Sequence, residues 1–178
     1  MKTEIINQEK PVFSPEKLAE VQALMNQYPE GKHKSALIRI LHIAEAEFGG
    51  WLSPQTMDYV AELLNIQPIE VYEVATFYTM FNIQPVGKFV FEVCRTGPCM
   101  LVGSDQIIDY IGEKLNIQVG ETTADGMFTL KTAECLGACG YGPMLQCGKQ
   151  YHEHLTKEKV DALIASCRAG EASPNTQN

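Results

Sequence analysis

Cys94-Arg95-Thr96-Gly97-Pro98-Cys99 and Cys135-Leu136-Gly137-Ala138-Cys139 decide how this chain is read. Four residues separate the cysteines of the first stretch and three those of the second. Both stretches are rich in Gly, Pro and small side chains, so each can wrap closely around a small object. The pairs stand 36 positions apart, from Cys99 to Cys135, and together offer a cage of four thiolates. A 2Fe–2S cluster asks for four thiolates, two per iron. Soft sulfur donors also select zinc or copper(I) over hard cations.

Structural zinc is the first rival, since a closed four-cysteine tetrahedron is common. Its clips usually leave two residues between the cysteines, and gaps of four and three are wider than that habit. A 2Fe–2S rhomb is larger than one ion, so longer gaps fit it better. Disulfides are a second rival, but Met1-Lys2-Thr3-Glu4-Ile5-Ile6-Asn7-Gln8 has no apolar signal segment, and six cysteines in 178 residues is not a disulfide-dense scaffold. A reactive thiol would need a base or a Cys-x-x-Cys pair, and neither is evident. Cys147 lies in the apolar run Pro143-Met144-Leu145-Gln146-Cys147, and Cys167 ends a helical pattern. Both read as small hydrophobes in a core.

The length allows one ordinary domain or two small ones. A formal charge of −8 argues against a phosphate-binding surface, which needs clustered Lys and Arg. No apolar run approaches a membrane span, and Ala36 to Ile43 is interrupted by Arg39 and His42. The expectation is a cytoplasmic protein. If it works at a membrane, it does so peripherally, on the inner face, through other subunits.

The first half reads as helices. Ser14-Pro15 starts one with Leu18, Val21, Leu24 and Met25 inward. A second runs from about Lys34 to Phe48 and ends at Gly49-Gly50. Ser53-Pro54 starts a third with Met57, Val60, Leu63 and Leu64, and Pro68 a short fourth through Val74. Short loops between them imply a small bundle. Pro85-Val86-Gly87 is a breaker, and Lys88 to Cys94 is a strand ending on the first candidate ligand. Ser104-Asp105 caps a helix with Ile107, Ile108, Ile111 and Leu115 inward. Asp125-Gly126 turns into a strand through Met127–Lys131. Met144–Cys147 and Gln150–His152 form a hairpin around Gly148-Lys149, and Thr156 caps a last helix with Val160, Leu163 and Ile164. The class is α+β: an N-terminal tail (1–13), a helical bundle (14–84), a strand–helix–strand–hairpin–helix domain (85–169) and a disordered tail (170–178). Each clip directly follows a strand, and loops gather at one end of a sheet, so two remote pairs can meet.

With Phe48-Gly49-Gly50-Trp51-Leu52, Val74-Ala75-Thr76-Phe77-Tyr78-Thr79-Met80-Phe81 and Pro85-Val86-Gly87-Lys88, the two clips resemble those of the thioredoxin-like 2Fe–2S proteins. More narrowly, the chain is similar to the family of small 2Fe–2S subunits, the E-subunits, of bacterial NADH:quinone oxidoreductase, respiratory complex I. The likeness runs from about Ser14 to Cys167. It implies a thioredoxin-like α/β domain with a mixed sheet, and one 2Fe–2S cluster held by Cys94, Cys99, Cys135 and Cys139. It also implies docking on a larger flavoprotein subunit that carries FMN and binds NADH. Related subunits serve NAD-linked hydrogenases and formate dehydrogenases, and no residue separates those cousins.

The chain has no Gly-x-Gly-x-x-Gly after a strand, as hydride chemistry on a bound dinucleotide would require. The expected division of labour leaves the hydride to a partner's flavin and single electrons to this chain. Backbone N–H groups at Gly97, Gly137, Ala138 and Gly140 are expected to point at sulfur, since little side chain shields them. Arg95 reads either as a charge beside the cluster or as a solvated side chain. His152 and His154, two apart, could share one strand face but lack a third ligand. His42 reads as structural. Phe77-Tyr78-Thr79-Met80-Phe81 reads as core, with an apolar docking surface as the alternative.

Overall fold

The computed structural model describes residues 11–171, so residues 1–10 of the expected tail 1–13 and 172–178 of the expected tail 170–178 lie outside the described residues; of the rest, Phe13 is buried against Phe48 and Gly170 caps the last helix. The chain divides between Pro85 and Val86 into two compact units. The first is all helical: α1 (Pro15–Met25), a 3₁₀ turn (His33–Ala36), α2 (Leu37–Glu47), α3 (Pro54–Leu64) and α4 (Pro68–Phe77). Local chemistry sets these boundaries. Ser14 Oγ accepts from Lys17 N, and Ser53 Oγ accepts from Thr56 N at 3.1 Å. Gln67 and Glu70 form a capping box at the start of α4. Val21, Ile40, Leu41, Ala44, Leu52, Val60 and Val71 fill the core.

The aromatic stretch after α4 corrects the expectation that it is core. Phe77 is 77% exposed, and Tyr78 and Met80 are also solvated. Only Phe81 turns inward, with the ring of His42 4.8 Å from its own. The helix ends at Phe77, so the periodicity that would carry the stretch inward stops there.

The second unit holds β1 (Phe89–Cys94), α5 (Gly97–Leu101), α6 (Ser104–Leu115), β2 (Phe128–Ala133), a 3₁₀ turn (Cys139–Tyr141), β3 (Leu145–Cys147), β4 (Gln150–His152) and α7 (Lys157–Ala169). The sheet order is β2-β1-β3-β4, with β1 and β2 parallel and the other pairs antiparallel. A parallel pair needs a long crossover, supplied here by α5 and α6. The period of two puts Phe89, Phe91 and Val93 on one face with Phe128 and Leu130, where α6 and α7 contribute Ile107, Ile111, Val160 and Ile164. Cys94 therefore falls on the opposite face. Glu92 and Lys131, directly opposed across the parallel pair, meet at 3.1 Å.

Three expectations need local correction. Gly103, at φ 100°, is the N-cap of α6, and Ser104 is its first helical residue, with Oγ buried and without a hydrogen-bond partner. The left-handed glycine turns the chain from α5 directly into α6, which leaves no room for a serine cap. His152 and His154 do not share a strand face, because β4 ends at His152 and His154 takes a left-handed conformation at φ 48°. Gly87 does more than break structure: a Cβ there would stand 2.9 Å from the Phe128 backbone, while its N–H donates to Thr129 Oγ1 at 2.7 Å.

Gly87→Ala should therefore lower the unfolding free energy by about 1–3 kcal/mol, read by urea denaturation. A second expectation concerns pH. Burial holds the half-buried His152 imidazole below its ordinary 6.5. As pH falls through that value the unfolded chain takes up the proton first, so stability present above 6.5 is lost below it. His152→Gln should flatten this acid limb in unfolding measured across pH.

Candidate metal centre

The parallel register does the assembling. Cys94, last in β1, stands opposite Ala133, last in β2, and Cys135 follows two residues later. The pairing then continues beyond both strands. Arg95 N donates to Ala133 O at 3.0 Å, and the Thr96 hydroxyl donates to the Glu134 carbonyl. Two segments distant in sequence are thus stitched together residue by residue at the point where the first clip begins.

Cys99 reaches the site on α5, a short helix absent from the elements expected of the sequence. Thr96 at its N-cap and Pro98 in its first turn are the start signal that could have found it. Cys94, Cys99 and Met144 form a small buried cluster of their own, with Leu136 and Ala138 of the second clip packed against it. Cys94 N donates to Met144 O at 3.1 Å, so the residue just before β3 holds the third side. Met144 belongs to an apolar run, and nothing in that run marks it as a wall of the site. Cys135 and Cys139 are exposed. The centre has one buried pair and one open pair. Arg95 is exposed, in keeping with its solvated reading.

The electrostatics converge on the buried pair, Cys94 and Cys99. Burial pushes the Cys94 thiol up, but N–H groups of Thr96 and Leu136, with the Cys99 thiol, outweigh it and hold it below the ordinary thiol value. The Cys99 thiol is pushed up to about 11 by burial, by its hydrogen bond to Cys94 and the charge there, and by Cys139 and Cys135. Cys94 loses its proton first, and its charge then retains the proton on Cys99. A bound metal would reverse that retention, because a coordinating thiol is deprotonated outright.

The donor set fits an iron–sulfur core. The thiols come with backbone N–H groups beside them: Gly137 N donates to Cys135 Sγ at 3.3 Å, and the backbone at Thr96 and Leu136 favours the thiolate of Cys94. Gly137 is one of the four positions expected to do this, whereas Thr96 and Leu136 are additions that the structure makes. Gly142 forms part of the cradle, since a Cβ there would lie 3.1 Å from Cys99 Sγ and 3.0 Å from Val102 Cγ2. Among the described residues, no three His, Cys, Asp or Glu side chains gather as ligands of a single ion. A 2Fe–2S core asks for two thiolates at each iron.

Cys147 and Cys167 stand apart from this. Both are buried in the main core, between β3 and α7, and their thiols hydrogen-bond each other. That bond, together with burial, pushes the Cys147 thiol far up, so it remains protonated.

A four-stranded mixed sheet with helical cover and paired cysteine clips at one end of its parallel strands defines an iron–sulfur protein on a thioredoxin-like frame. The model of the thioredoxin-like [2Fe-2S] ferredoxin family matches residues 21–168, and the chain belongs to that family. It is 43% identical over 156 residues to the E-subunit of NADH-quinone oxidoreductase in Rickettsia bellii, covering 88% of this chain and 93% of that one. It is 45% identical over 165 residues to the mitochondrial NADH dehydrogenase [ubiquinone] flavoprotein 2 of Dictyostelium discoideum, covering 92% and 67% respectively. Among solved structures, an NAD+-reducing [NiFe]-hydrogenase in the air-oxidized state matches with a TM-score of 0.67 and 20% identity. That likeness concerns the fold, over 77% of this chain and 23% of the hydrogenase chain.

Gly142→Ala tests the cradle. The new methyl group crowds the β-branched Val102 side chain and the Cys99 sulfur together, so Cys99 must shift to admit it. Iron retained per folded chain should drop, with little change in far-UV circular dichroism.

Proposed function

We propose that this chain is the 2Fe–2S electron-transfer subunit of an NADH:quinone oxidoreductase, with the cluster held by Cys94, Cys99, Cys135 and Cys139. The observation that carries the ligand set is the register of β1 and β2, which sets the second clip beside the first. The degree of identity to the named oxidoreductase subunits, over most of both chains in the Rickettsia case, supports the enzyme class.

When bound, the cluster accepts and releases single electrons. The chain's own residues set the conditions. Burial of Cys94 and Cys99 keeps water from one side of the site, which disfavours added negative charge. N–H groups of Thr96, Leu136 and Gly137 offset that by donating to sulfur. The exposed sulfurs of Cys135 and Cys139 mark the open side. In this reading the electrons come from FMN on a partner subunit that binds NADH. That partner covers the exposed apolar residues beside the clips: Met100, Leu101 (89% exposed), Val102 and Tyr141. No helix among the described residues is long and apolar enough to cross a membrane.

The native complex, purified anaerobically, should contain a flavin subunit, and this chain should carry about two irons and two sulfides. Cys94→Ser, Cys99→Ser, Cys135→Ser and Cys139→Ser should each lose most of the iron or change the paramagnetic signal of the reduced cluster. Cys147→Ser and Cys167→Ser should leave both intact. A colourless protein with one zinc, or a hydrogenase or formate dehydrogenase subunit as companion, would overturn the reading.

A further inference from the structure

The edge strand β4 places a phenol over the second clip. Tyr151 stands opposite Gln146 in the β3–β4 ladder, and its hydroxyl donates to the Leu136 carbonyl oxygen at 3.0 Å. That carbonyl and the N–H of Gly137 are two ends of one peptide unit. The N–H end donates to Cys135 Sγ at 3.3 Å. A peptide unit is planar, so neither end can turn without the other, and the two bonds select a single orientation. The Leu136 end is also held by its side chain, packed against Cys94, Cys99 and Met144, whereas the Gly137 end has no side chain to hold it. Gly137 has φ +72° and nothing within 4 Å of where a Cβ would stand, so no side chain on the Gly137 side fixes this unit.

The base on which Tyr151 sits is itself tied to the stretch after Cys139. His154 N donates to Tyr141 O and Leu155 N donates to Pro143 O, both at 2.8 Å. The phenol is thus a strut between an ordered hairpin and an exposed loop. A hydroxyl donating to an amide carbonyl also polarises that amide and makes its N–H a stronger donor.

We propose that Tyr151 is a positioning residue for electron transfer: it holds the Leu136–Gly137 peptide with its N–H on Cys135 and so raises the potential of the cluster. The proposal rests on Cys135 being a cluster ligand. An N–H···S bond favours the more negative, reduced cluster, so loosening it makes reduction harder.

The test is Tyr151→Phe in the full chain, purified with its cluster and titrated redox-chemically while the paramagnetic signal is followed. The midpoint potential should move to a more negative value with iron and sulfide content unchanged. The exchangeable-proton coupling of the reduced cluster, read by pulsed electron–nuclear methods in H₂O and D₂O, should weaken. Tyr110→Phe, which removes a phenol bonded to Asp161 on α7, should shift neither. An unchanged potential in Tyr151→Phe would overturn the proposal. So would loss of the cluster from a folded variant, which would make Tyr151 a retention residue. If Cys135→Ser leaves the iron and the spectrum untouched, the ligand assignment falls. If Cys135→Ser alters them while Tyr151→Phe is inert, Tyr151 alone is refuted.

Discussion

The parallel pairing of two strands, in one register, is the constraint on which the rest of this centre depends. β1 and β2 run the same way, so their C-terminal ends lie together and the loops that follow them emerge side by side. Had the pair been antiparallel, the clip after Cys94 and the clip after Ala133 would leave from opposite ends of the sheet. Parallel pairing requires a crossover of a dozen or more residues. The chain uses part of that crossover productively, since α5 carries Cys99 back over the site before α6 returns across the sheet. The ladder then extends past its last strand residues through Arg95 and Thr96, and geometric precision in the sheet is handed on to an irregular loop.

The resulting site is uneven by construction. Cys94 and Cys99 are enclosed with Met144, while Cys135 and Cys139 face solvent on a loop with little regular structure of its own. Stiffness on the open side has to come from outside the clip, and the β3–β4 hairpin supplies it through Tyr151 and the segment after His152. The same hairpin bears Cys147, yet the alternation along β3 turns that thiol to the opposite face, into the main core with Cys167. One strand thus separates two kinds of cysteine. One kind sits among N–H donors and other thiols, and the other is packed as a hydrophobe.

Much of the scaffold was legible from local chemistry. Ser14-Pro15, Ser53-Pro54 and Thr156 each cap the helix expected of them, because a cap is a contact between residues three apart. The strands and the hairpin at Gly148-Lys149 follow from period-two patterns of the same short range. The misreadings have a common origin. α5 hides inside a motif whose cysteines dominate its reading. Ser104 has the residue type of a cap, but Gly103 takes that place through a left-handed turn. Phe77, Tyr78 and Met80 have the apolar character of core, but burial depends on which way a chain turns after its helix ends. The contacts of the Thr96 hydroxyl with Glu134, of the Leu136 backbone with Cys94 and of the Tyr151 hydroxyl with Leu136 join residues 38, 42 and 15 apart, and no window of sequence displays them.

Residue type and spacing alone determined the soft-donor chemistry, since four cysteines in two small-residue clips limit the metals such a chain can hold. They also determined the α+β class, through periodicities that repeat every two or 3.6 residues. Tertiary structure alone decided that the clips meet, that one pair is buried and the other open, and that a tyrosine on an edge strand orients the peptide beside Cys135. These are matters of strand direction, register and face. They arise from pairing between distant segments, and a linear pattern carries no term for that.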